Sequence, residues 1–360
     1  MLYKNIQGLR AVAALMVVIS HIYWPILPMR IHWTQQFVTA VGPGGVDLFF
    51  VISGFVVFLA AQRLGDKAEI VGRVSAFREF AIKRVFRIYP IYWVVFAIAT
   101  LLMPWVEFSP AFIKVAPTWQ QVLLINSPNS RVQAAWTLQY EMYFYAMCAL
   151  GILFFPRRIA LILGAWFAMV AAASMASWFG VSTSSSWLNI LALEFGLGIV
   201  IVLLASRKYS EYAVAAIGVG LAGYLWGAIY FNLNGGWTLP SSWRVVCFGL
   251  PSALIVYGFV ALEIRQMWTF SKGWIALGDA SYSLYLWHQV LFATIAAWLV
   301  AGDLINRVPA PIYGVAFVCV AVLVGFLSFN LIEQPINKSA WLARLAKGSS
   351  GIVAREPLPA

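Results

Sequence analysis

The sequence predicts an all-α integral membrane protein, a polytopic bundle of about ten transmembrane helices with both termini in the cytoplasm. Three observations carry that expectation: the composition, the succession of apolar runs and the sidedness of the basic residues. Of 360 residues, 62% are hydrophobic and only 10% charged, with a mean hydropathy of +0.83. Soluble domains carry about 25% charged residues, so this chain cannot cover itself with polar surface in water. It can where lipid is the solvent.

Apolar runs bounded by charge or Gly/Pro punctuation fall at about 8–28, 44–62, 88–106, 134–155, 159–179, 187–205, 213–233, 243–262, 276–300 and 311–332. Each is near the roughly 20 residues that a crossing helix needs. The stretch 117–126 is too short to span and is expected at the interface. Lys4 and Arg10 precede the first run, but no small-residue cleavage site follows it, so a retained span is expected rather than a signal peptide. Residues 1–336 read as one transmembrane domain and 337–360 as a short basic cytoplasmic tail. No internal repeat or heptad run stands out.

The net charge of +11 comes from 24 Lys and Arg against 13 Asp and Glu. With the N-terminus inside and ten crossings, nineteen of those 24 basic residues fall in cytoplasmic segments. Only Arg30, Lys114, Arg131, Arg244 and Arg307 fall outside. That asymmetry is the positive-inside pattern, which explains the charge without nucleic acid and points to a bacterial inner membrane. Cys148, Cys247 and Cys319 lie in apolar stretches without disulfide or metal spacing and read as small buried residues.

Ionisable residues inside spans are the functional candidates, because burial there is costly unless something pairs with them. His21 lies in the first span, eleven residues after Arg10, so both project from one face about 16 Å apart along the axis. A neutral imidazole at that depth suits a general base, and equally a packing histidine. Asp47 opens the second span at a comparable depth and could orient the imidazole, or simply favour a helix start. Ser53 and Gly54, further along, read as close-packing residues.

Glu141 is the one acid of the fourth span, among Trp136, Tyr140, Tyr143 and Tyr145. Aromatics around a carboxylate suit a sugar, and suit an interfacial belt equally. Ser281, Tyr285 and His288 form a polar stripe on the ninth span. Trp136, Tyr140, Tyr285 and His288 are therefore the candidate acceptor contacts. His32 sits in the first outer loop, and three histidines so scattered argue against a zinc site. No metal is expected. Between 63 and 87 stand seven basic residues and three acids, ending in Lys83-Arg84-Val85-Phe86-Arg87. This run reads as topology and lipid attraction, or as guanidinium forks for a phosphorylated cytoplasmic ligand.

Taken in order, these pieces resemble the acyltransferase-3 family of integral-membrane acyltransferases, especially its exopolysaccharide and O-antigen O-acetyltransferases. The pieces are Asn5 to Arg10 with His21, Gly45 to Phe55, Arg84-Val85-Phe86-Arg87-Ile88-Tyr89-Pro90 and Trp136 to Glu141, followed by Ser281 to His288 and Glu333-Gln334-Pro335. The resemblance covers about 330 residues. It implies transfer of an acyl group, usually acetyl from acetyl-CoA, to a glycan hydroxyl. It makes His21 the base and places Arg10, Lys83, Arg84 and Arg87 on the donor's phosphates. Glu141 and Asp47 become the acids that support catalysis or bind acceptor. The implied partners are acyl-CoA and a glycan or lipid-linked oligosaccharide. A succinyl donor, or a lipid-linked glycan transporter whose polar residues line a pathway, are the competing readings.

Overall fold

The computed structural model describes residues 3–22, 33–102, 118–125, 130–180, 186–205, 209–234, 236, 239–304, 307 and 309–347, and all its regular structure is helical. The helices run α1 Lys4–His21, α2 Trp33–Val71, α3 Arg73–Leu102, α4 Trp119–Leu123, α5 Trp136–Phe154, α6 Ile159–Trp178, α7 Leu193–Ala205 and α8 Ala213–Leu233. There follow α9 Ser241–Arg244, α10 Leu250–Ile264, α11 Lys272–Asp279, α12 Ser281–Ala301, α13 Ala310–Ser328, α14 Gln334–Lys338 and α15 Ala340–Lys347. Two π-turns interrupt this series, Val245–Gly249 between α9 and α10 and Phe329–Glu333 between α13 and α14.

Every expected apolar run holds a helix. Among the described residues, seven helices are long and apolar enough to cross a membrane, rather than ten. The other three runs correspond to α1, α5 and a shorter apolar helix ending in α7. Polar content sets two of these apart: α1 carries Lys4 and Arg10, and α5 carries Gln139 and Glu141 among tyrosines.

The second span is the hub. Its apolar window is 72% buried, against 22% for those on α6 and α13. It packs against α1, α3, α5, α7, α8 and α10. Such an approach needs small residues. A Cβ on Gly54 would stand 2.1 Å from the Phe195 carbonyl oxygen, and one on Gly198 would stand 2.2 Å from that of Val51. The α2–α7 crossing is therefore a glycine-against-backbone contact of the kind that membrane helices favour. Outer helices turn large apolar side chains outwards, including Leu161, Val214, Leu221, Ile312 and Leu331. In water that surface would drive aggregation, whereas against lipid it costs nothing.

Some expectations change. Cys148 and Cys247 are buried but Cys319 is exposed, because its position on α13 falls on the outward face. Arg244, expected in an outer segment, is 5% exposed inside the bundle. The 117–126 stretch does not span: α4 is a five-residue helix whose carbonyls receive the side-chain donors of Tyr89, Tyr92 and Trp93 from α3. His32 lies outside the described residues. In the tail, α15 packs on α3 with Trp341 edge-on to Phe86.

Candidate active site

Helical spacing builds the site. Arg84 and Arg87, three residues apart on α3, face one side of their helix. Thr137, Glu141 and Tyr145, four apart on α5, face them, as do Tyr282 and Tyr285 on α12. Together with Arg10, Phe49 and Ser53 they line a cavity of about 110 Å³. One end holds the three arginines with Tyr145 and Tyr282. The other holds Thr137 and Tyr285, whose hydroxyls are 2.8 Å apart.

Glu141 lies between. Its Oε1 accepts from the Ser53 hydroxyl at 2.8 Å and the Tyr145 hydroxyl at 2.5 Å. Two hydroxyl donors offset much of the cost of a carboxylate so placed. Ser53, expected only to pack, is thus part of the site. The Arg84 guanidinium lies 5.4 Å from the Phe80 ring centre and 5.5 Å from that of Tyr145, and its buried Nε has no hydrogen-bond partner among the described residues. Arg87 is ion-paired with Glu333, and its guanidinium lies over the Tyr282 ring at 5.7 Å.

The histidines stand one turn past Tyr285, outside the cavity lining. Each points an Nδ1 at a backbone carbonyl, His21 at Val17 (2.7 Å) and His288 at Tyr285 (2.6 Å). A carbonyl only accepts, so each Nδ1 carries the proton and each Nε2 the lone pair. The two rings meet edge to face with centroids 5.1 Å apart. His288 is fully buried.

The expected partnership between His21 and a carboxylate is not what the structure shows. The Asp47 carboxylate is fully buried and accepts from Arg244 at 2.8 Å, on the side of α2 facing α7, α8 and α9 rather than towards His21. Helix geometry explains this, since Val46, Phe49 and Phe50 take the cavity side of the same turn. Glu141 bonds to Ser53 and Tyr145 instead. Lys83 also leaves the donor group. It points one residue round the helix from Arg84, pairs with Glu79 at 2.5 Å and is absent from the cavity. Trp136 packs on the Arg244 guanidinium at 5.6 Å and edge-on to Tyr140, so both belong to the neighbouring ion cluster.

Sequence reasoning does not single out that cluster. Glu194, the one acid in the 187–205 run, is fully buried beside Asp47, Arg244 and Tyr224. The rule that points to Glu141 applies to it without change. Glu333, at the end of the last run, is visible in the sequence only as a motif residue.

The sequence matches known proteins. A family model described as an acyltransferase domain matches residues 3–329. The exopolysaccharide production protein ExoZ of Rhizobium meliloti is 30% identical over 324 residues, covering 86% of this chain and 94% of that protein. The O-acetyltransferase OatA of Staphylococcus aureus is 24% identical over 383 residues, covering 94% of this chain and 58% of that protein. No solved structure matches the chain.

Proposed function

The chain belongs to the acyltransferase-domain family, and on that premise we propose that it moves an acetyl group from cytoplasmic acetyl-CoA to a sugar hydroxyl. The acceptor is an exopolysaccharide or its lipid-linked repeat unit. One observation carries this reading: three arginines line a cavity around Glu141, and one turn beyond its Tyr285 stands a pair of histidines, each with Nδ1 on a backbone carbonyl.

Topology supports it. The N-terminal half of α1 (Arg10) and the start of α12 (Tyr282, Ser283) meet the middle of α3 (Arg87) and the Glu333 turn that follows α13. In alternating crossings the starts of α1 and α12 and the end of α13 share one face. With nineteen of 24 basic residues on the same side, that face is the cytoplasmic one of a ten-span protein with both ends inside, in a bacterial inner membrane. The donor's phosphates would lie at Arg10, Arg84 and Arg87, where guanidinium forks suit them. Its slender pantetheine arm would pass Glu141 towards the histidines.

The sugar hydroxyl then attacks the thioester carbonyl. A C–O bond forms, the C–S bond breaks, and His21 Nε2 takes the hydroxyl proton and passes it to the leaving thiolate, which departs as the free thiol. General-base help of this kind contributes about 10²–10⁴-fold. The Val17 carbonyl, not a carboxylate, holds His21 in the working tautomer. Tyr285 and Thr137 line the acceptor end, with His288 behind them. Asp47, Trp136 and Tyr140 support that end through Arg244.

The test is release of free coenzyme A from acetyl-CoA by purified protein, with and without crude lipid-linked oligosaccharide, for wild type and His21→Ala. Acceptor-dependent release in wild type, reduced at least 100-fold in the variant, is expected. Release that survives His21→Ala would remove the base from this mechanism. Absence of release, with glycolipid still bound, would leave a transporter in its place.

A further inference from the structure

Among the described residues, Arg87 is the cavity arginine ion-paired with a buried carboxylate. Both oxygens of that carboxylate are occupied, Oε1 by the Arg87 Nη1 and Oε2 by the Ser283 hydroxyl at 2.7 Å. The side chain of Glu333 is 1% exposed against 25% for Arg87, and only Arg87 lines the cavity. Glu333 therefore cannot reach a molecule in the cavity itself. It ends the Phe329–Glu333 π-turn, and π-turns are rare and concentrate at functional sites. The extra residue in such a turn rotates the downstream side chains by about 100° relative to a regular helix.

We infer that Glu333 is the positioning residue of the donor site: it holds one edge of the Arg87 guanidinium so that the opposite edge meets the phosphates of the thioester donor. A guanidinium carries five N–H donors in a rigid fork. Glu333 takes one edge and the Tyr282 ring covers a face, so the free edge has a single direction left, into the cavity. Ordering a long arginine side chain on binding would otherwise be charged against donor affinity. Among the described residues, Arg84 has no ion pair and packs on the rings of Phe80 and Tyr145. The inference rests on the donor reading above.

The experiment compares two donors, acetyl-CoA and S-acetylpantetheine, which share the thioester and differ in the phosphates. Glu333→Gln keeps the shape and an oxygen for Ser283 but removes the charge. KM for acetyl-CoA is expected to rise about 10–100-fold, the range for a lost charged hydrogen bond, with the change on KM rather than kcat. KM for S-acetylpantetheine, or its inhibition constant against acetyl-CoA, stays where it is. Ser283→Ala, which leaves the ion pair in place, gives a smaller change in the same direction and serves if the first variant does not fold.

A loss equal for both donors, or confined to kcat, would make Glu333 a structural residue and overturn the inference. Wild-type protein that uses neither donor would instead defeat the donor reading, and the inference would fall with it. Glu333→Asp, with the charge restored on a shorter arm, is expected to recover part of the acetyl-CoA affinity. No recovery beyond Glu333→Gln would count against a positioning role.

Discussion

Among the described residues, two arginine–carboxylate pairs with a buried carboxylate lie inside this bundle, and each abuts a π-turn. Arg87–Glu333 lies at the end of the turn Phe329–Glu333, and Arg244–Asp47 at the start of the turn Val245–Gly249. They differ in their surroundings. Arg87 is 25% exposed and opens on the cavity, while Arg244 and Asp47 are 6% and 0% exposed, with a second acid, Glu194, beside them. Burying a pair costs several kcal/mol of desolvation per ion, and good geometry only about repays it. A sealed pair therefore does little for net stability but penalises every packing that separates its members. An open pair keeps a hydrogen-bonding edge for a ligand. The same chemistry serves alignment of helices at one site and recognition at the other.

Breaking each pair should separate the two roles. Arg244→Met leaves Asp47 as an uncompensated buried carboxylate beside Glu194, and a loss of about 3–5 kcal/mol is expected, read as a fall in melting temperature in detergent. Arg87→Met leaves one buried carboxylate near a cavity that water can enter. Its melting temperature should fall less, while KM for acetyl-CoA should rise about 10–100-fold. Equal destabilisation with no KM change at Arg87 would make both pairs structural and erase the distinction.

The difference between the pairs also marks how far the sequence could be read. Lipid as solvent makes composition and apolar runs sufficient to place the helices, which is why every run holds one. Spacing within a helix was enough to put Arg84 and Arg87 on one face, since residues three or four apart share a face. Partnership between distant helices was not legible. Asp47 and Arg244 are 197 residues apart, and Arg87 and Glu333 are 246 apart. A carboxylate near His21 in depth can face the other way round its helix, as Asp47 does. The π-turns hid the rest, because one added residue per turn cancels the face that regular periodicity assigns.

Within the sealed cluster, Glu194 and Asp47 face one guanidinium, and Asp47 is ion-paired with it. Two acids for one arginine is a like-charge conflict, so an amide at one position should cost little. Glu194→Gln is expected to melt within about 1 kcal/mol of wild type, or above it. Its amide can donate to Asp47, which its carboxylate form cannot. A fall as large as that of Arg244→Met would show instead that Arg244 needs both charges.

The smallest expected effect lies one residue from the cavity. Lys83 adjoins Arg84 in the chain, yet its side chain is 52% exposed and pairs with Glu79 one turn back. Exposed pairs of that kind contribute about 0–1 kcal/mol, and less in salt. Lys83→Ala should therefore leave KM for acetyl-CoA and the melting temperature unchanged, against the large KM shift at Arg87 four residues on. The contrast tests whether donor recognition follows charge in the segment or direction round the helix. A general cytoplasmic attraction for phosphates would weaken with any lost cation in 63–87. A grip made by oriented forks loses nothing when a lysine on the outer face is removed. Were Lys83→Ala to raise KM tenfold, the donor's nucleotide would have to lie across the outer face of α3, and the cavity would hold only the thioester arm.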